Sequence, residues 1–256
     1  MESQLQCAGA TLSETLVDAS ADAAPIAGLV REHRRRLVIA FVGMAFEAKI
    51  AAGPGVLVVC RGARRELAAA AESAARQGYR GIISFGVAGG LASSLRTGDW
   101  VVASAVHESQ TVRETDAAWS NKLLDVIDGA RHAPIVGVDA PVAEPAMKRE
   151  LHRRTGAAAV DMESHVVSRL AAAHRLAFAA VRVIVDPADR AIPRAALMGM
   201  GADGRTDIAA VLRDLVSRPS QLSPLARIAV DAFAARAEML RVRRLLGPHF
   251  GLADFA

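Results

Sequence analysis

Cysteine and aromatic residues are scarce in this sequence. Its 256 residues include two cysteines, and aromatic side chains make up 4% of the chain. Two cysteines are too few for the disulfide framework of a small secreted domain, so we expect a reducing environment. With one tyrosine and two tryptophans, the chain offers few rings on which bases could stack. This argues against a nucleic-acid partner, although the net charge is +4.

Several sequence patterns that define other classes of protein are also missing. The apolar runs are no longer than a strand, far below the about 18–20 residues of a membrane span. The N-terminus lacks the layout of a secretion signal, so we expect a cytoplasmic protein. The glycine turn FGVAGG (85–90) does not match G-x-G-x-x-G, no G-x-S-x-G motif occurs, and the seven histidines show no ligand spacing. We therefore expect neither a nicotinamide cofactor, nor a serine nucleophile, nor a metal.

What the chain does have is a repeated alternation of apolar strands and helices. Residues 1–30 are small and polar and predict a loosely ordered extension, followed by one domain over 31–256 with a helical C-terminus. Several strands are apolar throughout, which is typical of strands covered on both faces. The pattern predicts an α/β/α sandwich around a mixed, largely parallel sheet. The expected strands are 36–43, 55–60, 80–86, 99–106, 133–138, 157–160 and 177–185, and the expected helices are 63–77, 116–129, 144–154 and 163–174.

Polar residues and glycines follow four of these strands. Glu47 follows the first strand, a glycine-rich turn over 86–90 follows the third, Glu163 follows 157–160, and Asp186 follows 177–185. In open α/β folds, ligands bind outside the carboxyl ends of the strands. The sequence therefore predicts a site at this edge of the sheet, formed by three separated carboxylates and a glycine turn.

Each of these residues also has an ordinary structural explanation. Glu47 suits the solvated first turn of a helix, Asp186 before Pro187 is a common turn pair, and the glycines suit a backbone turn. Asp161 is well placed to cap the helix that follows it. Glu163 lies two positions further on, so its side chain would diverge from Asp161 by about 200° on a helix. We therefore do not expect these two carboxylates to act as one acid–base pair.

Three stretches resemble the purine nucleoside phosphorylase and methylthioadenosine nucleosidase superfamily. They are ISFGVAGGLASSLRTGDWVVAS (83–104), AAVDMESHVVSRLA (158–171) and VRVIVDPAD (181–189). They occur in the family's order, and the resemblance covers about residues 36–215. It implies a nucleoside phosphorylase-like fold, a homo-oligomer, and cleavage of the bond between a purine and its sugar.

The resemblance also implies roles for individual residues. Asp186 would protonate N7 of the departing purine, Glu163 would bind the ribose hydroxyls, Met162 would lie beneath the sugar, and Glu47 would activate water. A proton donor makes the base a better leaving group, and a carboxylate favours the positive charge that develops on the sugar. Further predicted substrate contacts are Gly86, Val87, Ala88, Gly89, Phe46 and Val142.

The resemblance leaves the nucleophile open between water and inorganic phosphate. Family members that bind phosphate use a glycine loop, which here matches Gly43 and CRGARRE (60–66), so Gly62, Arg64 and Arg65 are candidate phosphate ligands. Val87 stands where the family usually has a serine, and Arg64 where a second glycine is common. The arginines favour phosphorolysis, with phosphate as co-substrate and no other cofactor.

Finer features are similar to a hopanoid-biosynthesis-associated branch of this superfamily. FVGMAFEAKI (41–50), GMGADGRTD (199–207) and the basic C-terminal helix indicate this branch, and it implies a lipid-linked substrate, adenosylhopane. Pro141 and Val142 replace the aromatic residue that sandwiches adenine in related nucleosidases. The amphipathic segment 225–247 suits packing on the core or, alternatively, contact with a membrane surface. Soluble adenosine or methylthioadenosine remains the alternative substrate, and a nucleoside-binding protein without catalysis is disfavoured.

Overall fold

The computed structural model describes residues 38–60, 72, 79–198, 213–214 and 217–252. Within these residues eight strands form one sheet. They are β1 (Val38–Val42), β2 (Val56–Cys60), β3 (Gly81–Gly90), β4 (Trp100–Glu108), β5 (Thr111–Glu114), β6 (Arg131–Gly137), β7 (Ala159–Asp161) and β8 (Ala177–Asp186).

Helices alternate with these strands along the chain. They are α1 (Ala45–Ala51), α2 (Ala117–Val126), α3 (Pro145–Thr155), α4 (Ser164–His174), α5 (Arg194–Met198) and α6 (Leu222–Leu245), and a 3₁₀ turn (Pro219–Gln221) precedes α6. Local sequence explains several helix ends. Asp116 caps α2 by accepting a hydrogen bond from the amide of Trp119. Pro145 begins α3, and Gly156 ends it in the left-handed conformation.

The sheet is mixed, and part of it closes on itself. Its order is β2-β1-β3-β7-β6-β4-β5, and β8 pairs with both β3 and β4. The strands β3, β8, β4, β6 and β7 therefore form a closed ring. Five of the strand pairings are parallel and three are antiparallel. The predicted α/β class with a largely parallel sheet is confirmed, whereas the sequence did not reveal the ring.

Both faces of the sheet are buried. In β1, Val38, Ala40 and Val42 belong to one apolar cluster, and Ile39 and Phe41 belong to another. Helices α2 and α6 pack on the first cluster and α4 packs on the second. Alternate side chains of a strand point to opposite faces, so a strand that is apolar throughout fits a sheet covered on both sides.

The structure differs from the predicted elements in two places near the strand ends. The third strand does not stop at Gly86 but continues to Gly90, so the expected glycine turn is wrong. These residues stay in the strand because β8 pairs with them as far as Gly89. Strand β5 was not expected, and it forms a hairpin with β4. The predicted extension over 1–30 and, apart from Glu72, the predicted helix over 63–77 lie outside the described residues.

Candidate active site

The carboxyl ends of four neighbouring strands meet at one edge of the sheet. Strands β1 and β8 both run parallel to β3 and lie on either side of it. Strand β7 is antiparallel to β3, with Val160 opposite Gly89. The end of β7 therefore points back along β3, and the residues after it approach the end of β1. This topology brings Glu47, Glu163 and Asp186 to the same edge, as the sequence predicted.

Glu47 lies in the first turn of α1 and is 2% exposed. Its Oε2 accepts hydrogen bonds from the amides of Gly43 (2.8 Å) and Met44 (2.7 Å), and its Oε1 accepts one from the amide of Val87 (2.8 Å). The bond to Met44 is half of a capping box, in which a glutamate reaches back to the helix start. The alternative of a solvated helix residue is therefore wrong. Burial raises the pKa of Glu47, although Arg182 and the three amides oppose this effect.

A buried arginine, Arg182, joins the carboxylates at this edge. Its side chain belongs to β8, and its Nε donates to Oδ2 of Asp161 at 2.5 Å. Its Nη2 donates to Oγ of Ser84 at 2.5 Å and lies 3.8 Å from Oε2 of Glu163. Burial acts to lower the pKa of Arg182, but Asp161, Glu163 and Glu47 outweigh it and hold that pKa above its usual value. We infer that Arg182 stays charged and partly neutralises the three carboxylates.

Asp161 is engaged in structural contacts. Its Oδ1 accepts hydrogen bonds from the amides of Glu163 (3.1 Å) and Ser164 (2.9 Å), and its Oδ2 binds Arg182 and the Ser164 hydroxyl. It therefore satisfies the first amides of α4, although the residue with N-cap geometry is Glu163. Burial acts to raise the pKa of Asp161, but Arg182 and Ser164 outweigh burial and hold the pKa below its usual range. Asp161 and Glu163 are therefore separate carboxylates and do not form one acid–base pair, as expected.

One donor of Arg182 has no partner among the described residues. Its Nη1 is buried and makes no hydrogen bond there, and a Cβ on Gly86 would lie 2.8 Å from it and 2.5 Å from Oε1 of Glu47. A buried donor without a partner costs about 1–3 kcal/mol. A small polar molecule bound beside Glu47 and Gly86 would therefore accept a hydrogen bond from this donor.

Asp186 ends β8 and is paired with a lysine that the sequence analysis did not identify. Its Oδ2 accepts a hydrogen bond from Nζ of Lys148 at 2.7 Å. Asp186 is 7% exposed and Lys148 is 0% exposed. Burial raises the pKa of Asp186, and Lys148 opposes this shift without cancelling it. A carboxyl group that acts as the acid in this reaction needs a raised pKa, and Asp186 has one.

Glycines beside the carboxylates leave room for them. A Cβ on Gly43 would lie 2.8 Å from Oε1 of Glu163, and one on Gly89 would lie 3.0 Å from Oδ2 of Asp186. The first distance is shorter than real Cβ contacts and the second is unusually tight, so a larger residue at either position would push against the carboxylate. Gly43 after β1 and Gly86 and Gly89 in β3 therefore act by allowing the carboxylates to approach the backbone closely.

The other predicted contacts differ in their surroundings. Val87 and Gly89 are half-buried in β3, whereas the side chain of Ala88 is buried in the cluster around Ile39. Phe46 packs partly against the cluster around Val38, and Val142 packs partly beside Val160. Their substrate contacts, and that of the half-buried Met162, stay predictions. Gly62, Arg64 and Arg65 lie outside the described residues.

Arg182 and Lys148 were not predicted as site residues, for different reasons. Arg182 stands between valines in an otherwise apolar strand, and a charge there must be paired when the strand is buried. An arginine inside an apolar strand is therefore a sequence signal from which Arg182 could have been predicted. Lys148 lies in a helix with many charged residues, where nothing in the pattern distinguishes it from its exposed neighbour Arg149. The described residues contain no cluster of His, Cys, Asp and Glu suited to a metal ion.

The comparisons with known proteins agree with this architecture. A methylthioadenosine/S-adenosylhomocysteine nucleosidase from Helicobacter pylori superposes with a TM-score of 0.53 at 17% identity, over 72% of this chain and 98% of that one. A futalosine hydrolase from the same organism superposes with a TM-score of 0.54 at 17% identity, over 72% of this chain and 99% of that one. The methylthioadenosine/S-adenosylhomocysteine nucleosidase from Campylobacter jejuni superposes with a TM-score of 0.50 at 15% identity, over 80% of this chain and 99% of that one. No curated protein sequence matches the chain significantly.

The family match, together with the fold, thus defines an enzyme of the nucleoside phosphorylase or nucleosidase class. Residues 29–217 match the family model described as the phosphorylase superfamily, and the chain belongs to this family.

Proposed function

We propose that this enzyme cleaves the N-glycosidic bond of a purine nucleoside and releases adenine. The observation that supports this most is the pair of buried carboxyl groups with raised pKa, Glu47 just after β1 and Asp186 at the end of β8, at one edge of the sheet. Such a cleavage needs an acid for the departing base and a base for the attacking nucleophile. Two carboxyl groups held in different surroundings can divide these roles.

The contacts of the two groups suggest which role each has. Asp186, beside the Lys148 ammonium, is the acid that protonates N7 of the purine. Glu47 lies next to the unpaired donor of Arg182 and is the base that activates the nucleophile. Glu163 lies between Gly43 and Arg182, where a carboxylate can bind the ribose hydroxyls and favour the positive charge on the sugar.

The electrostatics of the site favour water as the nucleophile. The amides of Gly43, Met44 and Val87 already donate to Glu47, so they are not free to bind phosphate. Three carboxylates around Arg182 would also repel a phosphate dianion. Water bears no charge and can donate to Glu47 while it accepts from Arg182.

Phosphorolysis is the second candidate, and the start of an arginine-rich segment favours it. Strand β2 pairs with β1 so that Cys60 lies opposite Val42, and Cys60 Sγ lies 3.9 Å from the carbonyl oxygen of Met44. Cys60 thus lies beside the Glu47 helix, and the segment with Arg61, Arg64 and Arg65 follows it in the sequence, outside the described residues. The preference for phosphorolysis stays a prediction that rests on these arginines.

Phosphate dependence distinguishes the two modes. We expect adenine release from methylthioadenosine, adenosine or adenosylhopane to proceed at the same rate with and without inorganic phosphate, because the amides of Gly43, Met44 and Val87 already donate to Glu47. Adenine can be measured by chromatography and the sugar product by mass spectrometry. Release that requires phosphate and yields a sugar 1-phosphate would reject hydrolysis.

We further propose a lipid-linked nucleoside, adenosylhopane, as the substrate. Supporting this, helix α6 exposes Leu222, Val230 and Phe233 by 62%, 67% and 70%. The exposed Arg227 and Arg236 flank these side chains. An apolar stripe with arginines beside it suits the surface of an anionic membrane. Among the described residues, no helix is long and apolar enough to cross a bilayer.

Vesicle flotation tests the membrane contact. We expect the protein to float with anionic vesicles and not with neutral ones, and the double substitution Val230→Ser, Phe233→Ser to reduce the bound fraction at least about tenfold. The matched control is Val112→Ser in β5, an apolar residue that is 54% exposed. Failure of the wild type to float, together with faster cleavage of methylthioadenosine than of adenosylhopane, would favour the soluble substrate instead.

A further inference from the structure

Lys148 on α3 is a fully buried lysine whose amine contacts, within the described part of the chain, the end of β8 and the loop that follows it. Its Nζ donates to Oδ2 of Asp186 (2.7 Å) and to the carbonyl oxygens of Asp186 (3.2 Å), Pro187 (2.9 Å) and Arg190 (2.9 Å). The side chain is 0% exposed. These four contacts connect α3 to the loop that follows β8 and contains the proposed acid.

A lysine in this position is costly and therefore needs an explanation. Burying an ammonium without partners is strongly unfavourable, and a buried ion pair adds little net stability. A residue that served packing alone could be apolar, as are Leu91, Val136 and Val160 in the neighbouring cluster. The amine of Lys148 is instead directed at one carboxylate oxygen of Asp186 and at the backbone beside it.

We propose that Lys148 is a positioning residue for leaving-group protonation: it holds Oδ2 of Asp186, leaves Oδ1 to contribute the proton, and compensates the charge that remains. This inference rests on the proposed function, since it assigns a role within the same reaction. Lys148 contacts no substrate itself, because it is enclosed by the loop that it binds.

The proton transfer balances without any additional reactant. The O–H bond at Oδ1 of Asp186 breaks while an N–H bond forms at N7 of the purine. The electron pair of the O–H bond stays on the carboxylate, and the electrons of the bond between the sugar and N9 pass to the purine. The carboxylate that results lies 2.7 Å from the Lys148 ammonium. Its charge is therefore stabilised at the moment it forms.

The charged groups around Asp186 determine the sign of the pH effect. Lys148 approaches from α3 and lowers the pKa of Asp186, and Asp231 acts from α6 and raises it. Asp231 is itself paired with Arg190 of the loop. Activity requires protonated Asp186, so activity falls as the pH rises through the pKa of this group. Removing the Lys148 charge raises that pKa further and moves the basic limb of the pH profile to higher pH.

The test compares two substrates whose leaving groups differ in their need for a proton. Adenine must be protonated, whereas the 4-nitrophenolate of 4-nitrophenyl riboside leaves without an acid. We expect Lys148→Met to lower kcat for the adenine nucleoside about 10- to 100-fold, to shift its basic limb upwards, and to change the riboside rate less than about threefold. Lys122→Met on α2, an exposed lysine, is the matched control and should behave as the wild type.

Each outcome distinguishes a positioning role of Lys148 from a purely structural role. Equal losses on both substrates, or a basic limb that does not move, would overturn the proposal. If Lys148→Met does not fold, Lys148→Arg serves instead. It keeps the charge, so its basic limb should match the wild type and any loss should be confined to the adenine nucleoside; an equal loss on the riboside overturns the proposal. Absence of adenine release by the wild type would reject the proposed function and the inference together.

Discussion

Asp186→Asn should lower kcat for adenine release by about 10²- to 10⁴-fold, the usual contribution of a general acid. Asparagine has the same size and can still accept a hydrogen bond from Lys148, so we expect KM to change little. The variant removes only the ability to donate a proton to the purine. Steady-state kinetics on an adenine nucleoside measures the effect, with 4-nitrophenyl riboside as a substrate that the substitution should spare.

Asp189→Asn is the matched control for this variant. Asp189 lies three positions further along the same loop, and it is exposed. We expect its kcat to stay within about twofold of the wild type. An unchanged rate in Asp186→Asn, or the same loss in both variants, would reject Asp186 as the acid.

Glu47→Gln should have the second largest effect, a fall in kcat of about 10²- to 10⁴-fold. The amide has no basic carboxylate to take a proton from the nucleophile. Its NH₂ group must also face one of the amide donors at Gly43, Met44 or Val87, which now all point at Glu47. An unsatisfied buried donor costs about 1–3 kcal/mol, so we expect the free energy of unfolding to fall by that amount.

The pH profile separates catalysis from stability in this variant. Burial raises the pKa of Glu47, and a base must be deprotonated, so activity should rise with pH through that pKa. This acidic limb should disappear in Glu47→Gln, while the basic limb that depends on Asp186 remains. Glu114→Gln, at an exposed position of β5, should keep both limbs. A Glu47→Gln variant with both limbs and a wild-type rate would contradict the assignment.

The positions of the three carboxylates were predictable because strand ends are visible in the sequence. Glu47, Glu163 and Asp186 each follow an apolar run, and a largely parallel sheet gathers such ends at one edge. Asp161 and Glu163 are separate carboxylates as predicted, but not for the predicted reason, because Asp161 ends β7 and Glu163 is the N-cap of α4 and the two do not lie on one helix. The resemblance to a known family then supplied a role for each residue.

The interactions that tune these carboxylates were harder to predict. Lys148 is distant from Asp186 in sequence, and only the packing of α3 beside the end of β8 brings them together. Glycine is common in turns and rare within strands, so the sequence predicts a turn where β3 in fact continues. Their actual effect is to admit the side chains of Glu47 and Asp186, which depends on the closed ring of strands.

Adenine release in ¹⁸O-labelled water without phosphate tests the central claim most directly. The protein is incubated with methylthioadenosine, adenosine and adenosylhopane in turn, and both products are analysed by mass spectrometry. We predict adenine in a 1:1 ratio with a free sugar that has gained ¹⁸O at the carbon that held the base, and a loss of this signal in Asp186→Asn. If the folded protein releases no adenine from any of these nucleosides, with or without phosphate, the account is wrong.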